Sequence, residues 1–452
     1  MKPDNLSLKR TLTLLPVVLF GLAYMSPMIV FGTYGVLVQT THGLATSAYL
    51  LALAAMLFTA YSYGRMVKAY PNAGSAYTYA RKSLGSHLGF MVGWAVLLDY
   101  FFLPMAGCVV TASYLGAAVP GVPTWVWVIS VIVITTVVNI IGIKLTTNLN
   151  FWLMVFQLIV IAVFVILTIK DIAMGSGAHT LVSTLPFVNH SGSFSSVISG
   201  ASIACYSFLG FDAISTLSEE TVAPEKTIPR ATLLATLIGG LIFIVVAYFG
   251  QLYHPSTNFS DINAAGSDIV KLVGGNLLTS IFVSAFVIGS VTCGISAQAS
   301  VSRLLYAMGR DSVLPKAVFG RLHAKFKTPY WNILIVAAVC LFALKLNVAT
   351  STSFINFGAF AAFTFVNLSV VAHYFVRGKR RTVQGVLMYL LVPLVGVGFN
   401  VWLWSNLDKN ALRLGLGWAI FGFIYLMFVT KMFKVRPPEL DFDGNPERSQ
   451  NA

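Results

Sequence analysis

Few side chains in this 452-residue sequence could do chemistry in an apolar setting, and the best placed are two carboxylates set beside glycine and aromatic rings. Asp212 closes the run Ala204-Cys205-Tyr206-Ser207-Phe208-Leu209-Gly210-Phe211-Asp212, and Asp99 sits in Trp94-Ala95-Val96-Leu97-Leu98-Asp99-Tyr100. A charge at bilayer depth costs roughly 2.5–3.5 kcal/mol on insertion scales, so such residues usually face a bundle interior or a cavity. Two chemistries suit them there: carrying a proton, or pairing with a cationic group on a substrate. The structural alternative is that each accepts hydrogen bonds from unwound backbone or a neighbouring hydroxyl. Glu219 and Glu220, close to Lys226 and Arg230, read instead as interfacial charges.

The elements that would position these residues are interrupted helices. Gly210 loosens the backbone between two rings, and lipid offers the freed N–H and C=O groups no partner. A second interruption lies in Gly21-Leu22-Ala23-Tyr24-Met25-Ser26-Pro27-Met28-Ile29-Val30-Phe31-Gly32. Pro27 removes a donor and clashes with the preceding turn, and Gly32 and Gly35 weaken the helix beyond it. Taken alone, this is also the pattern of a plain proline kink. Two breaks five spans apart predict more: an inverted-repeat transporter with its substrate site between the first and sixth spans. Carbonyls freed there suit an ammonium, and half-helix N-termini suit a carboxylate.

Composition agrees. The chain is 57% hydrophobic and only 10% charged, against about 25% charged in a soluble domain. About twelve apolar spans are expected: 11–37, 45–69, 88–117, 124–143, 149–170, 194–217, 229–252, 276–308, 331–348, 354–376, 384–405 and 412–433. Each approaches or exceeds the length needed to cross the hydrocarbon. The net charge of +14 is a topology signal, not a nucleic-acid signal. With the N-terminus inside, only Lys170, Lys271, Lys345, Lys409 and Arg413 of the 29 Lys and Arg fall outside, which predicts cytoplasmic termini in an inner membrane. The expected organisation is a cytoplasmic N-terminus 1–10, a first five-helix repeat 11–170, a second repeat 194–376, two additional helices 384–433 and a cytoplasmic tail 434–452.

No pattern calls for a cofactor or metal. The four cysteines are scattered singly through apolar spans, the seven histidines form no ligand spacing, and there is no phosphate-binding loop to power ATP-driven transport. An enzyme would need catalytic residues clustered near one face, and a channel would need polar pore-lining rings without occluding aromatics. A secondary carrier of a small amino acid or amine, in contact with membrane lipid and coupled to protons, fits best.

Three stretches carry a family resemblance. They are Phe208 to Thr221 (FLGFDAISTLSEET) with Ile228-Pro229-Arg230, Ser302 to Asp311 (SRLLYAMGRD), and Tyr70 to Tyr79 (YPNAGSAYTY) followed by Gly89-Phe90-Met91-Val92-Gly93-Trp94 and Asp99-Tyr100. On these the chain resembles the amino acid–polyamine–organocation superfamily of permeases, and within it the bacterial putrescine-importer-like branch. The resemblance implies an all-α polytopic membrane protein with a five-plus-five inverted-repeat (LeuT-like) fold, broken helices 1 and 6, and alternating access. It also implies a substrate floor at Tyr24, Ser26, Pro27 and Met28, an aromatic gate at Tyr206, Phe208 and Phe211 around Gly210, and substrate contact by Asp99, Tyr100 and Asp212. Two departures matter. Polyamine importers of the branch carry Asp where this chain has Gly32, so a carboxylate restored at 32 is expected to favour diamines. Several proton-coupled members carry a fifth-span lysine where this chain has Gln157, which cannot titrate and leaves coupling to Asp99 or Asp212. The implied substrate is an amino acid or amine, with putrescine the best single candidate and exchange or neutral amino acid transport the alternatives.

Overall fold

The computed structural model describes residues 10–71, 75–141, 147–189, 191–310, 314–323, 325–326 and 328–437. The expected N-terminus 1–10 and tail 434–452 therefore lie mostly outside the described residues, as do 72–74 and 311 of the family motifs. The chain is all-α, and its β pairing among the described residues is one isolated parallel bridge between Leu12 and Thr221. In chain order the first half holds α1 (Leu14–Met25), α2 (Ile29–Thr40), α3 (Ala45–Ala69), α4 (Ser75–Leu84), α5 (Ser86–Ala118), α6 (Thr124–Ile141) and α7 (Thr147–Ala173). The second holds α8 (Phe194–Ala204), α9 (Pro224–Tyr253), α10 (Ala265–Arg310), α11 (Lys316–Phe319), α12 (Tyr330–Cys340), α13 (Val348–Val370), α14 (Val383–Val386), α15 (Val392–Ser405) and α16 (Lys409–Val429).

Ten segments among the described residues are long and apolar enough to cross a membrane, and α1 with α2, bent by 48°, form an eleventh as one broken span. The ninth expected span, 331–348, is the shorter apolar segment Tyr330–Leu344. One expected feature shifts: α10 begins earlier than 276, because a short stretch precedes a kink at Gly275, whose φ of +64° is a left-handed conformation.

Because the helices are apolar all round, hydropathy alone does not separate the interior from the lipid face. The interior is marked by small and polar residues. In α3, the alanines 45, 48, 52, 55 and 60 are fully buried, whereas α16 exposes Ile420, Phe421, Ile424 and Phe428. Amide side chains tie the inner helices together. Ser62 Oγ donates to Asn367 Oδ1 (2.6 Å), and the Asn367 and Asn400 amides both donate to Thr59 Oγ1 (3.3 and 3.1 Å), joining α3, α13 and α15. Gln298 accepts from Asn139 (2.9 Å) and donates to Thr136 (3.1 Å), joining α6 to α10.

Candidate functional site

The first break is a three-residue interruption between α1 and α2. Ser26 has φ +51°, a left-handed conformation that a residue with a side chain adopts at a cost of about 1–3 kcal/mol. Pro27 donates no hydrogen bond, and the chain bends by 48° between α1 and α2. The Ser26 hydroxyl donates to Gln157 Oε1 (3.2 Å), which ties the break to α7.

The second break follows α8. A 3₁₀ turn (Cys205–Phe208) leads into Gly210 at φ +117°, and a 3₁₀ segment, Asp212–Glu219, completes the span. That second half is not an α-helix because its hydroxyls bond back three residues: Ser215 Oγ to Asp212 O (2.7 Å) and Thr216 Oγ1 to Ala213 O (2.6 Å). Asp212 Oδ1 accepts from the Gly210 amide (3.2 Å), so this carboxylate partly caps its own break. The two breaks also touch. A Cβ on Gly210 would stand 2.5 Å from Tyr24 Cδ1 and 3.1 Å from the Met25 nitrogen. A buried hydroxyl chain, Thr33 to Tyr49 (3.0 Å) to Ser207 (3.2 Å), links α2, α3 and the second break.

Between the breaks lies a cavity of about 280 Å³ lined by Tyr24, Tyr63, Trp94, Asp99, Tyr100 and Asp212, and closed by residues of α4, α10 and α13. Asp99 is 9% exposed, and its Oδ1 has no hydrogen-bond partner. Neither carboxylate is ion-paired among the described residues. Gly358 of α13 lets that helix close behind Asp99, for a Cβ there would meet Ala95 O at 2.5 Å and Asp99 N at 2.9 Å. Trp94 is fixed from outside by α16: its Nε1 donates to Trp418 O (3.0 Å), Trp418 Nε1 donates to Trp94 O (2.8 Å), and the rings stack at 4.9 Å. On the far side of the breaks, Phe31, Tyr114, Phe282 and Phe286 pack ring on ring, and Tyr114 OH donates to Phe31 O (2.7 Å).

The structure thus brings Tyr24, Asp99, Tyr100 and Asp212 to one cavity, but not the whole expected set. Phe208 packs on Phe243 (5.3 Å), and Phe211 stands behind the wall against Tyr63 (5.8 Å) and Phe363 (5.2 Å). Tyr206, Phe208, Phe211, Pro27 and Met28 are buried, and none of them lines this cavity. Gly210 acts from behind it, through its contact with Tyr24. Ser26 and Gln157 face a second cavity of about 500 Å³ on the other side of Tyr24. At position 32 a Cβ would stand 2.9 Å from Val110 Cγ1 and 3.2 Å from Phe286 Cζ, so an Asp there would have to displace those side chains, and residue 32 does not line the cavity. Sequence reasoning did not single out Tyr63 or Trp94 as site residues, and it did not give α4 a lining role. The signal for α4 was the motif around Ser75-Ala76-Tyr77; Tyr63 looks like any other ring in an apolar span.

The model of the amino acid permease family matches residues 17–405. The low-affinity putrescine importer PlaP of Escherichia coli (strain K12) is 44% identical over 443 residues, 97% of each chain. The methylthioribose transporter of Bacillus subtilis (strain 168) is 26% identical over 92% of this chain and 91% of its own. The branched-chain amino acid permease BcaP of the same organism is 24% identical over 95% of each.

Proposed function

The chain belongs to the amino acid permease family, and from that premise we propose that it imports a small amine, putrescine the best single candidate, by alternating access. One observation carries the reading: two carboxylates without a cationic partner face one ring-lined cavity at the meeting of two broken spans. A charge left unpaired in such a site costs several kcal/mol, so the site favours a ligand that brings its own positive charges. Putrescine at neutral pH carries an ammonium at each end of an apolar tetramethylene chain. One ammonium pairs with Asp99 and the other with Asp212. The rings of Tyr24, Tyr63, Tyr100 and Trp94 receive the methylenes and add cation–π attraction at the ends. The 44% identity to a putrescine importer over 97% of both chains supports the same assignment.

The cavity extends from the breaks towards the end that carries α4, Lys68, Arg81 and Arg377, and the positive-inside rule puts that end in the cytoplasm of a cell with this protein in its inner membrane. The aromatic cluster around Phe31 and Tyr114 seals the opposite end, so this arrangement corresponds to the state that releases substrate inward. The two repeats, 11–170 and 194–376, each contribute one broken span and rock about the site, with 384–433 as an outer addition. Protons couple through Asp99 or Asp212. The test is uptake of labelled putrescine into proteoliposomes, challenged with excess agmatine, arginine, leucine or glutamate. Diamines should compete, and leucine and glutamate should not. Competition by leucine and not by diamines sinks the amine assignment.

A further inference from the structure

We propose that the end of the molecule carrying α4 holds a binding site for the headgroup of an anionic phospholipid, built on Arg65, Arg380 and Arg381. None of these three residues lines the transport cavity. Two short π-helical segments, Val371–Arg377 and Leu387–Leu391, flank the surface and bring Tyr374 and Tyr389 into a stack at 4.6 Å and 15°. Two guanidiniums converge on that stack. Arg65 lies over Tyr389 at 5.4 Å and Arg380 at 5.7 Å, with Arg380 also donating to the Tyr389 hydroxyl (3.2 Å). Arg381 lies over Phe375 at 5.7 Å. Lys379 and Arg377 stand exposed on the same turn, and Arg377 donates to the Lys82 carbonyl of α4 (2.8 Å).

None of the three arginines is ion-paired among the described residues. The composition of the surrounding chain explains why. Residues 5–98 and 312–407, which supply α3, α4, α13, α14 and α15, contain no Asp and no Glu. Ring faces, the Tyr389 hydroxyl and the Met388 sulfur orient the guanidiniums but leave their charge uncompensated, and like charges so close call for an anion. A planar guanidinium fork matches the oxygens of a phosphodiester. The apolar half of the ligand is also provided for: Val376 is 56%, Leu387 53% and Leu391 49% exposed on the same segments, a surface for acyl chains. Basic residues next to lipid-facing apolar surface are the combination that anionic lipids select.

The experiment compares lipid retained by the purified full chain in native mass spectrometry, with uptake in reconstituted vesicles as a second measurement. Phosphatidylglycerol, phosphatidylcholine and glycerol phosphate serve as probes. Wild type should retain phosphatidylglycerol at least tenfold over phosphatidylcholine. Arg380→Gln with Arg381→Gln should abolish that preference while uptake in phosphatidylcholine vesicles persists. Lys409→Gln with Arg413→Gln, at the opposite end, should leave the preference intact. Equal retention of the two lipids overturns the proposal, and so does glycerol phosphate displacing the lipid at equal concentration, which identifies a small-anion site. A chain ending at Pro437 that gains tenfold in lipid retention also overturns it, because the acidic stretch from Glu439 to Glu447 is then the occupant.

Discussion

Asp99 and Asp212 differ in the contacts that already hold them, and the difference separates their expected phenotypes. Asp212 accepts from the Gly210 amide, whereas Asp99 Oδ1 has no hydrogen-bond partner. Removing one member of a buried charge pair costs roughly 3 kcal/mol, on the order of a hundredfold in affinity. Asp99→Asn should therefore raise the KM for putrescine by about that factor with normal amounts of protein in the membrane. An unchanged KM would leave Asp99 a scaffold residue. Asp212→Asn should lose uptake altogether, because the same change weakens the cap of the second break. Gly210→Val forces a branched side chain into a φ of +117° and against Tyr24, so transport should be crippled. Gly398→Val, where a Cβ meets nothing within 4 Å, should be mild, and equal effects would argue against the break. Gly32→Asp should lower uptake of every substrate alike, since the carboxylate would have to displace Val110 and Phe286 from their packed seam.

Among elements, the broken spans were legible because Pro27 lacks a donor and Gly210 tolerates a positive φ inside apolar runs. Residue type alone does not force a break, for Pro104 and Gly107 lie within the continuous α5. Asp99 and Asp212 were legible because a carboxylate in an apolar span must face a cavity or a partner. The wall of the cavity was not legible. Tyr63 and Trp94 line it while Phe208 and Phe211 do not, and all four are rings in apolar spans whose orientation depends on how neighbouring helices pack. The seam at Gly32 was hidden for the same reason: it exists only where α2, α5 and α10 meet. The last helix shows how much tertiary packing adds. Trp418 is far in sequence from every site residue, yet its indole holds Trp94 through reciprocal hydrogen bonds. Trp418→Phe keeps most of the apolar contact and removes one donor worth about 1 kcal/mol. KM for putrescine should rise about fivefold with little change in maximal rate, measured as initial uptake. A fall in maximal rate at constant KM would assign α16 to the conformational step instead.

At the scale of the whole molecule, the cavity lies on the basic side of the breaks and the opposite side is filled by aromatic rings. Gln157 Oε1 accepts from Ser26, which joins the first break to α7 through a side chain that does not titrate. If Asp99 or Asp212 carries the proton, uptake should rise when the outside is made acidic at constant internal pH and should collapse with a protonophore. Uptake indifferent to both would show transport without protons. If two acids in one cavity read the two ends of a diamine, direct binding reports it most closely. Titration calorimetry of the purified protein should show saturable binding of putrescine. Butylamine, which has the same apolar chain and one ammonium, should bind at least tenfold more weakly, and Asp99→Asn should remove that preference. Equal affinity of the wild-type protein for the two amines would contradict recognition of both ends by Asp99 and Asp212.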